Sequence, residues 1–164
     1  MRPSRDEHPV ALALLRRGSL RLRALVLMIV VLATASCATA TSSSSAQESI
    51  TSGLEEARSA VATAALVVTL LEDDRMTAPV ADTGLLDQIG VLEDSSAALM
   101  TLVPPAEMAT PLQQGMTAVG TATDAVVAAR LWVNGESGAS AAELLEALEG
   151  AESEIDDVLA EVGA

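Results

Sequence analysis

Cys37 carries the only thiol in this chain of 164 residues. It directly follows an apolar run at residues 24–35, and several arginines precede that run. A thiolate is a nucleophile that can be modified covalently, while a lone cysteine in an exported protein has no disulfide partner in its own chain. The position of Cys37 therefore indicates a site of processing and attachment.

The apolar run has the features of an export signal. Its length of about 12 residues is too short to cross a hydrocarbon core, which needs ~20 helical residues, so it fits the core of a signal peptide better. Positive charge ahead of such a run holds that end in the cytoplasm, and the charges here are Arg16, Arg17, Arg21 and Arg23. We predict that residues 1–36 are a signal peptide and that the rest of the chain is exported.

The residues that end this segment, Thr34, Ala35, Ser36 and Cys37, resemble the lipobox of bacterial lipoproteins. In that class, the third position before the cysteine is usually Leu, Val or Ile, where this chain has Thr34. The resemblance implies a diacylglyceryl group on the Cys37 sulfur, cleavage just before Cys37 and acylation of the new amino terminus. It also implies a location on the extracytoplasmic face of the cell membrane.

Two other fates of the N-terminal segment stay open. The signal peptide could be cut elsewhere, which would release the protein and leave Cys37 without a role. Alternatively, the apolar run could extend weakly through residues 38–40 and remain as an uncleaved membrane anchor. Among these, the lipid anchor best explains why the chain keeps a single cysteine at this position.

The charge of the exported part restricts its partners. Without residues 1–36 the chain keeps 21 acidic residues but only Arg58, Arg75 and Arg130 as cations, and it has no lysine. Binding nucleic acid requires basic residues that displace counterions from phosphates, so we predict no nucleic-acid partner. A surface this acidic attracts cations and basic proteins or peptides.

Residues 37–46 begin at Cys37 and continue as ATATSSSSA. This stretch has no apolar periodicity, and its composition is typical of a flexible linker. We predict a short tether over residues 37–46, followed by one folded domain over residues 47–164.

The folded domain shows four helical segments, at about residues 45–74, 80–103, 110–133 and 140–162. Each carries apolar or small residues at alternating steps of three and four, which is the spacing of one helix face. The first two faces are Ile50, Leu54, Ala57, Val61, Ala64, Val68 and Leu71, then Leu85, Ile89, Leu92, Ser96, Leu99 and Val103. The last two are Leu112, Gly115, Val119, Ala122, Val126, Ala129 and Val133, then Ala141, Leu144, Leu148, Ala151, Ile155, Val158 and Val162.

Local signals mark the helix ends. Capping boxes, in which two side chains satisfy free backbone donors, are predicted at Ser45 with Glu48, at Thr110 with Gln113, and at Ser140 with Glu143. Pro104 and Pro105 end the second helix, and Pro105 is an alternative start for the third. Four such faces joined by short connections predict an all-α, up-down-up-down antiparallel four-helix bundle.

The bundle lacks the residues that most enzymes and metal centres need. The only histidine, His8, lies in the predicted signal peptide, so the Glu-x-x-His pairs that hold two metal ions in such bundles cannot form. Histidine, lysine and a free thiol are also the usual bases and nucleophiles of catalysis. We predict no metal, no cofactor and no enzymatic activity. Trp132, the sole aromatic residue, is expected at the rim of the core, or else as an exposed contact.

The fourth helix is the most acidic and suggests a binding surface. We define the acidic stripe as Glu146, Glu149, Glu152 and Asp156, which follow one another at helical spacing. Such a stripe is an ordinary solvated face or a docking surface for a basic partner. Two functions are therefore open: a membrane-tethered, non-catalytic interaction or scaffolding module, and a binder or sensor of small cationic ligands or divalent cations.

Overall fold

The computed structural model describes residues 42–163, and these form four α-helices: α1 (Ser43–Glu72), α2 (Ala78–Met100), α3 (Ala109–Val133) and α4 (Ala141–Gly163). A short 3-10 turn, Ala106–Met108, precedes α3. The predicted all-α four-helix bundle is confirmed. The predicted signal peptide, Cys37 and the first residues of the predicted tether, through residue 41, lie outside the described residues.

The four helices run up, down, up and down. Both α1 and α3 pack against α2 and against α4. The start of α1 lies beside the end of α4, where the Gln47 side-chain amide donates to the Val162 carbonyl at 2.6 Å. Among the described residues α1 and α3 also touch across the diagonal, whereas α2 and α4 do not. Gly115 lies at this contact and faces Leu54, where a Cβ placed on the glycine would lie 3.4 Å from Leu54 Cδ2, at van der Waals distance.

The core consists mainly of alanine, valine and leucine. All seven residues of the predicted α4 face are buried, and the predicted α1 face is buried except for the half-buried Leu71. Ala46, Ala60 and Val67 are buried as well. Small side chains bury little area each, but they allow the helices to approach closely, so α1 buries a wider face than the pattern predicted.

The start of α1 differs from the prediction. Its N-cap is Ser42, whose hydroxyl accepts a hydrogen bond from the Ser45 N–H at 3.2 Å. Ser45 therefore lies in the first turn, and the predicted Ser45–Glu48 capping box is wrong. Residues 43–46, predicted as tether, are helical, and Ala46 is fully buried. Each serine at positions 42–45 is a competent cap; the start that buries Ala46 adds core contacts.

The α1 helix ends with the acidic residues Glu72, Asp73 and Asp74, whose charges oppose the helix dipole. The backbone conformation of Asp74 explains why an acidic residue stands there. Asp74 has a left-handed φ of 56°. Its N–H donates to the Leu71 carbonyl at 3.1 Å, and the Arg75 N–H donates to the Leu70 carbonyl at 2.8 Å. This is the Schellman arrangement. Asp is one of the few non-glycine residues that adopt this conformation readily.

The α2 helix ends at Met100, three residues earlier than predicted. Val103 precedes Pro104, which disfavours helical geometry at Val103, and its side chain is 78% exposed. The predicted core position Ser96 is only half-buried, whereas Ser95 is 1% exposed. The predictions of Val103 and Ser96 as core residues are therefore wrong, and the buried face of α2 follows Ala81, Leu85, Leu92, Ser95 and Leu99.

The predicted capping box is absent at the start of α3 and present at the start of α4. The N-cap of α3 is Met108, with no side-chain hydrogen bond, so the predicted Thr110–Gln113 box is wrong. Pro111 lies in the first turn, where its missing N–H breaks no helical bond. The box that precedes α4 is confirmed: the Ser140 N–H and hydroxyl both donate to Glu143 Oε2 at 2.8 Å, and the Glu143 N–H donates to the Ser140 hydroxyl at 3.3 Å.

Candidate functional site

Two residues of the acidic stripe, Glu152 and Asp156, lie on the side of α4 that borders α1. Arg58 of α1 reaches across this border, with its Nε 3.4 Å from Glu152 Oε1 and 3.0 Å from Asp156 Oδ1. The Arg58 side chain is 49% exposed, so solvent screens both ion pairs. One half of the stripe is therefore partly neutralised within the bundle itself.

The other half of the stripe is open. Glu146 and Glu149 are exposed, and within residues 42–163 neither forms an ion pair with an arginine. Like charges at this spacing repel one another along a helix, and Leu148 and Ala151 must hold the helix in place by packing. These two carboxylates can therefore bind a cation of another molecule without breaking an ion pair within the bundle.

A second polar cluster joins α2 to α3 at the opposite end of the bundle from Ser43. Asp82 Oδ1 accepts hydrogen bonds at 2.8 Å from Arg130 Nε and at 2.8 Å from the Asn134 amide. The hydrogen bond from Asn134 and then that from Arg130 lower the pKa of Asp82. Every group in the cluster has a partner, and Asn134 also donates to the Arg130 carbonyl at 3.0 Å. The cluster links the start of α2 to the end of α3.

The connection between α2 and α3 (residues 101–108) lies beside the start of α1, because the Ser43 hydroxyl donates to Glu107 Oε1 at 2.5 Å. This hydrogen bond is the main cause of a lowered pKa at Glu107. Two apolar side chains protrude here: Met100 is 65% exposed and Val103 is 78% exposed. We call this pair the apolar tip. The sequence pattern predicted Val103 in the core, so the apolar tip was missed.

The described residues contain possible metal ligands and a surface hollow. No group of three His, Cys, Asp or Glu side chains within residues 42–163 is placed to hold a metal ion. A shallow hollow on α1 is lined by serine, threonine, glutamine and glutamate side chains, among them Ser44 and Glu55.

The structure also bears on the position of Trp132 and on the question of membrane-spanning helices. Trp132 is half-buried and packs against the core close to the end of α3, as expected for a residue at the rim. None of the helices in the described part of the chain has the length and apolar character needed to cross a membrane.

The chain matches no protein-family model, and no curated protein or solved structure is similar to it.

Proposed function

We propose that this protein is a cell-envelope lipoprotein, held at the membrane by a lipid on Cys37, whose helical bundle is a non-catalytic docking module for a basic protein. The carboxylates of Glu146 and Glu149, which are exposed and form no ion pair within residues 42–163, carry this proposal. They lie on a unit with 21 acidic residues and three arginines, and two of those arginines, Arg58 and Arg130, already pair with carboxylates.

The helix start at Ser43 supports a location close to the membrane. Only five peptide steps separate Cys37 from Ser42, and an extended chain covers at most ~3.6 Å per step, or roughly 18 Å in all. A bundle on so short a tether stays next to the membrane, so its partner must be a protein that reaches the membrane surface. The basic partner is therefore another envelope protein, or the envelope-exposed part of a membrane protein.

The anchor is tested by mass spectrometry of the mature amino terminus and by membrane fractionation of a Cys37→Ala variant. We expect an acylated Cys37 at the amino terminus of the native protein, and release of the variant from the membrane. An unmodified terminus, or a variant that stays in the membrane fraction, would contradict the anchor.

The docking surface is tested by photo-crosslinking in intact cells. A photoreactive residue in place of Glu149 should capture a recurrent basic protein, and the same residue in place of Thr117, on the exposed side of α3, should not. The double charge reversal Glu146→Lys with Glu149→Lys should abolish capture. The matched reversal Asp87→Lys with Glu93→Lys changes the net charge equally on α2, which does not touch α4, and should leave capture intact.

Equal loss of capture in both double variants would mean that net charge alone governs the interaction. Capture from Thr117 alone would place the partner on α3. Either result would overturn the assignment of the acidic stripe as the docking surface.

A further inference from the structure

The apolar tip lies at the end of the bundle where the chain arrives from Cys37. Two contacts place it there: the hydrogen bond from the Ser43 hydroxyl to Glu107, at 2.5 Å, and the one from Gln47 to the Val162 carbonyl, at 2.6 Å. The first joins the start of α1 to the α2–α3 connection, and the second joins it to the end of α4. All three segments thus share one end of the bundle.

The α2–α3 connection and the adjoining turns of α2 and α3 are poor in charge. Charged residues make up 20% of the chain, yet Glu107 is the only one in residues 95–123. Met100 and Val103 are also the two most exposed large apolar side chains of the described residues; the others, such as Leu66 and Val80, are at most 57% exposed. The two most exposed large apolar side chains of the described residues thus lie at the end of the bundle from which the chain leads back to Cys37, and exposed apolar surface of this kind favours contact with lipid.

We propose that the apolar tip inserts Met100 and Val103 into the interfacial region of the membrane that holds Cys37, so that the bundle stands on its α2–α3 connection. This inference rests on the proposed lipid anchor, whose five peptide steps would keep Ser42, at the same end of the bundle as the tip, within roughly 18 Å of the bilayer. The expected surface is zwitterionic lipid, because Glu48, Glu107 and Glu161 lie at this end and would be repelled by anionic headgroups.

The orientation has a geometric consequence. The α3 helix has 25 residues, which at 1.5 Å per residue is about 37 Å. Trp132, near its far end, would stand well clear of the lipid while Val103 touches it. The single native tryptophan therefore serves as an internal negative control for contact with the membrane.

The test compares two single-tryptophan proteins on phosphatidylcholine vesicles whose acyl chains carry bromine, a contact quencher. One is the native protein with Trp132, and the other is Val103→Trp combined with Trp132→Phe. Relative to unbrominated vesicles, we expect the emission of the tryptophan at position 103 to fall by about half or more, since indole side chains settle at the membrane interface, and the emission of Trp132 to stay unchanged. Circular dichroism checks that both proteins are folded.

Vesicle flotation separates failure of this inference from failure of the anchor. Protein isolated from cell membranes should float with the vesicles. If it does not, the anchor is wrong, and the tip is then tested after coupling the sole thiol of the unmodified chain, Cys37, to a maleimide lipid. Vesicle-bound protein in which position 103 is not quenched would overturn the proposal.

A blue-shifted emission at position 103 without quenching by bromine would also overturn it. That result would mean that another protein, or a second copy of this chain, covers the apolar tip. As a further check, Met100→Ser in the position-103 tryptophan protein should weaken the quenching, whereas Leu66→Ser, which alters an exposed apolar residue in the body of α1, should not.

Discussion

Asp74 and Gly135 occupy equivalent positions at the ends of α1 and α3. Each is the second residue beyond the helix, with a left-handed φ of 56° and 72° respectively. Each is followed by a residue whose N–H donates five positions back at 2.8 Å, from Arg75 to Leu70 and from Glu136 to Leu131. The α3 helix thus ends with glycine, the residue best suited to this conformation. The α1 helix ends with aspartate, whose side chain is crowded at a positive φ.

Asp74→Gly should therefore stabilise the bundle. It removes the crowding of a side chain at positive φ and a negative charge near a helix C-terminus, and we expect a gain of about 0.5–1 kcal/mol in the free energy of unfolding. Asp73→Gly removes the same charge at an ordinary φ of −77° and should give no such gain. Gly135→Ala should cost about 1–2 kcal/mol. Chemical denaturation measures all three, and equal effects of the two aspartate variants would contradict the role of φ.

The buried hydroxyl of Ser95 has no hydrogen-bond partner within residues 42–163. An unsatisfied polar group in a core costs free energy, so Ser95→Ala should raise the free energy of unfolding by about 1 kcal/mol or more. Ser96→Ala has the same intrinsic effect on the helix at a half-buried position and is the matched control. The denaturation midpoint of Ser95→Ala should exceed that of Ser96→Ala. Equal midpoints would mean that water reaches the Ser95 hydroxyl.

Arg58 should contribute to stability in a manner that depends on salt. Its two ion pairs with α4 are exposed, and each such pair is worth about 0.2–1 kcal/mol. Arg58→Gln should lower the free energy of unfolding at low ionic strength and have a much smaller effect in 1 M salt, where the screening length is only ~3 Å. Arg75→Gln removes the same charge from an exposed residue that forms no ion pair in the described residues, and should have the smaller effect at both salt concentrations.

The capping box before α4 should respond to acid. The Ser140 N–H and then its hydroxyl lower the pKa of Glu143 below the ordinary value of 4.5. A carboxyl with a lowered pKa stabilises the fold above its unfolded pKa, and this contribution disappears as the pH falls through the folded pKa. Glu143→Gln should therefore be less stable than the native protein at neutral pH, and the difference should close below pH 4.5.

Glu149→Gln is the control for that experiment, because the Glu149 carboxylate has no hydrogen-bond partner among the described side chains and its loss relieves repulsion along the acidic stripe. It should be neutral or stabilising at neutral pH. A difference between native protein and Glu143→Gln that persists at low pH would point to packing rather than to the charge of Glu143.

How far the sequence predicted the structure differs from helix to helix. In α4 an unambiguous cap at Ser140 and seven well-spaced apolar residues fixed the start and the whole buried face. In α1 four consecutive serines offered equivalent caps, and only contacts far along the chain, such as Gln47 with Val162, select Ser42. In α2 two adjacent serines left the register undetermined by one residue, because hydrophobicity does not distinguish Ser95 from Ser96.

The same limit applies to the candidate surfaces. The acidic stripe was visible as a spacing pattern in one helix, but its division by Arg58 depends on which side of α4 meets α1. Val103 of the apolar tip was assigned to the core because it continues the α2 pattern, and Met100 was not singled out. The absence of charge across residues 95–123 was the signal that could have identified it.

The diagonal contact between α1 and α3 has a mechanical consequence. Since α1 touches every other helix of the bundle and Ser42 leads directly into it, a pull on the N-terminus loads three interfaces at once along their length. Shearing several packed interfaces together resists force better than peeling one helix from an edge, and resistance to force is set by the unfolding rate. The helix that enters the bundle first is thus the one least easily drawn out of it.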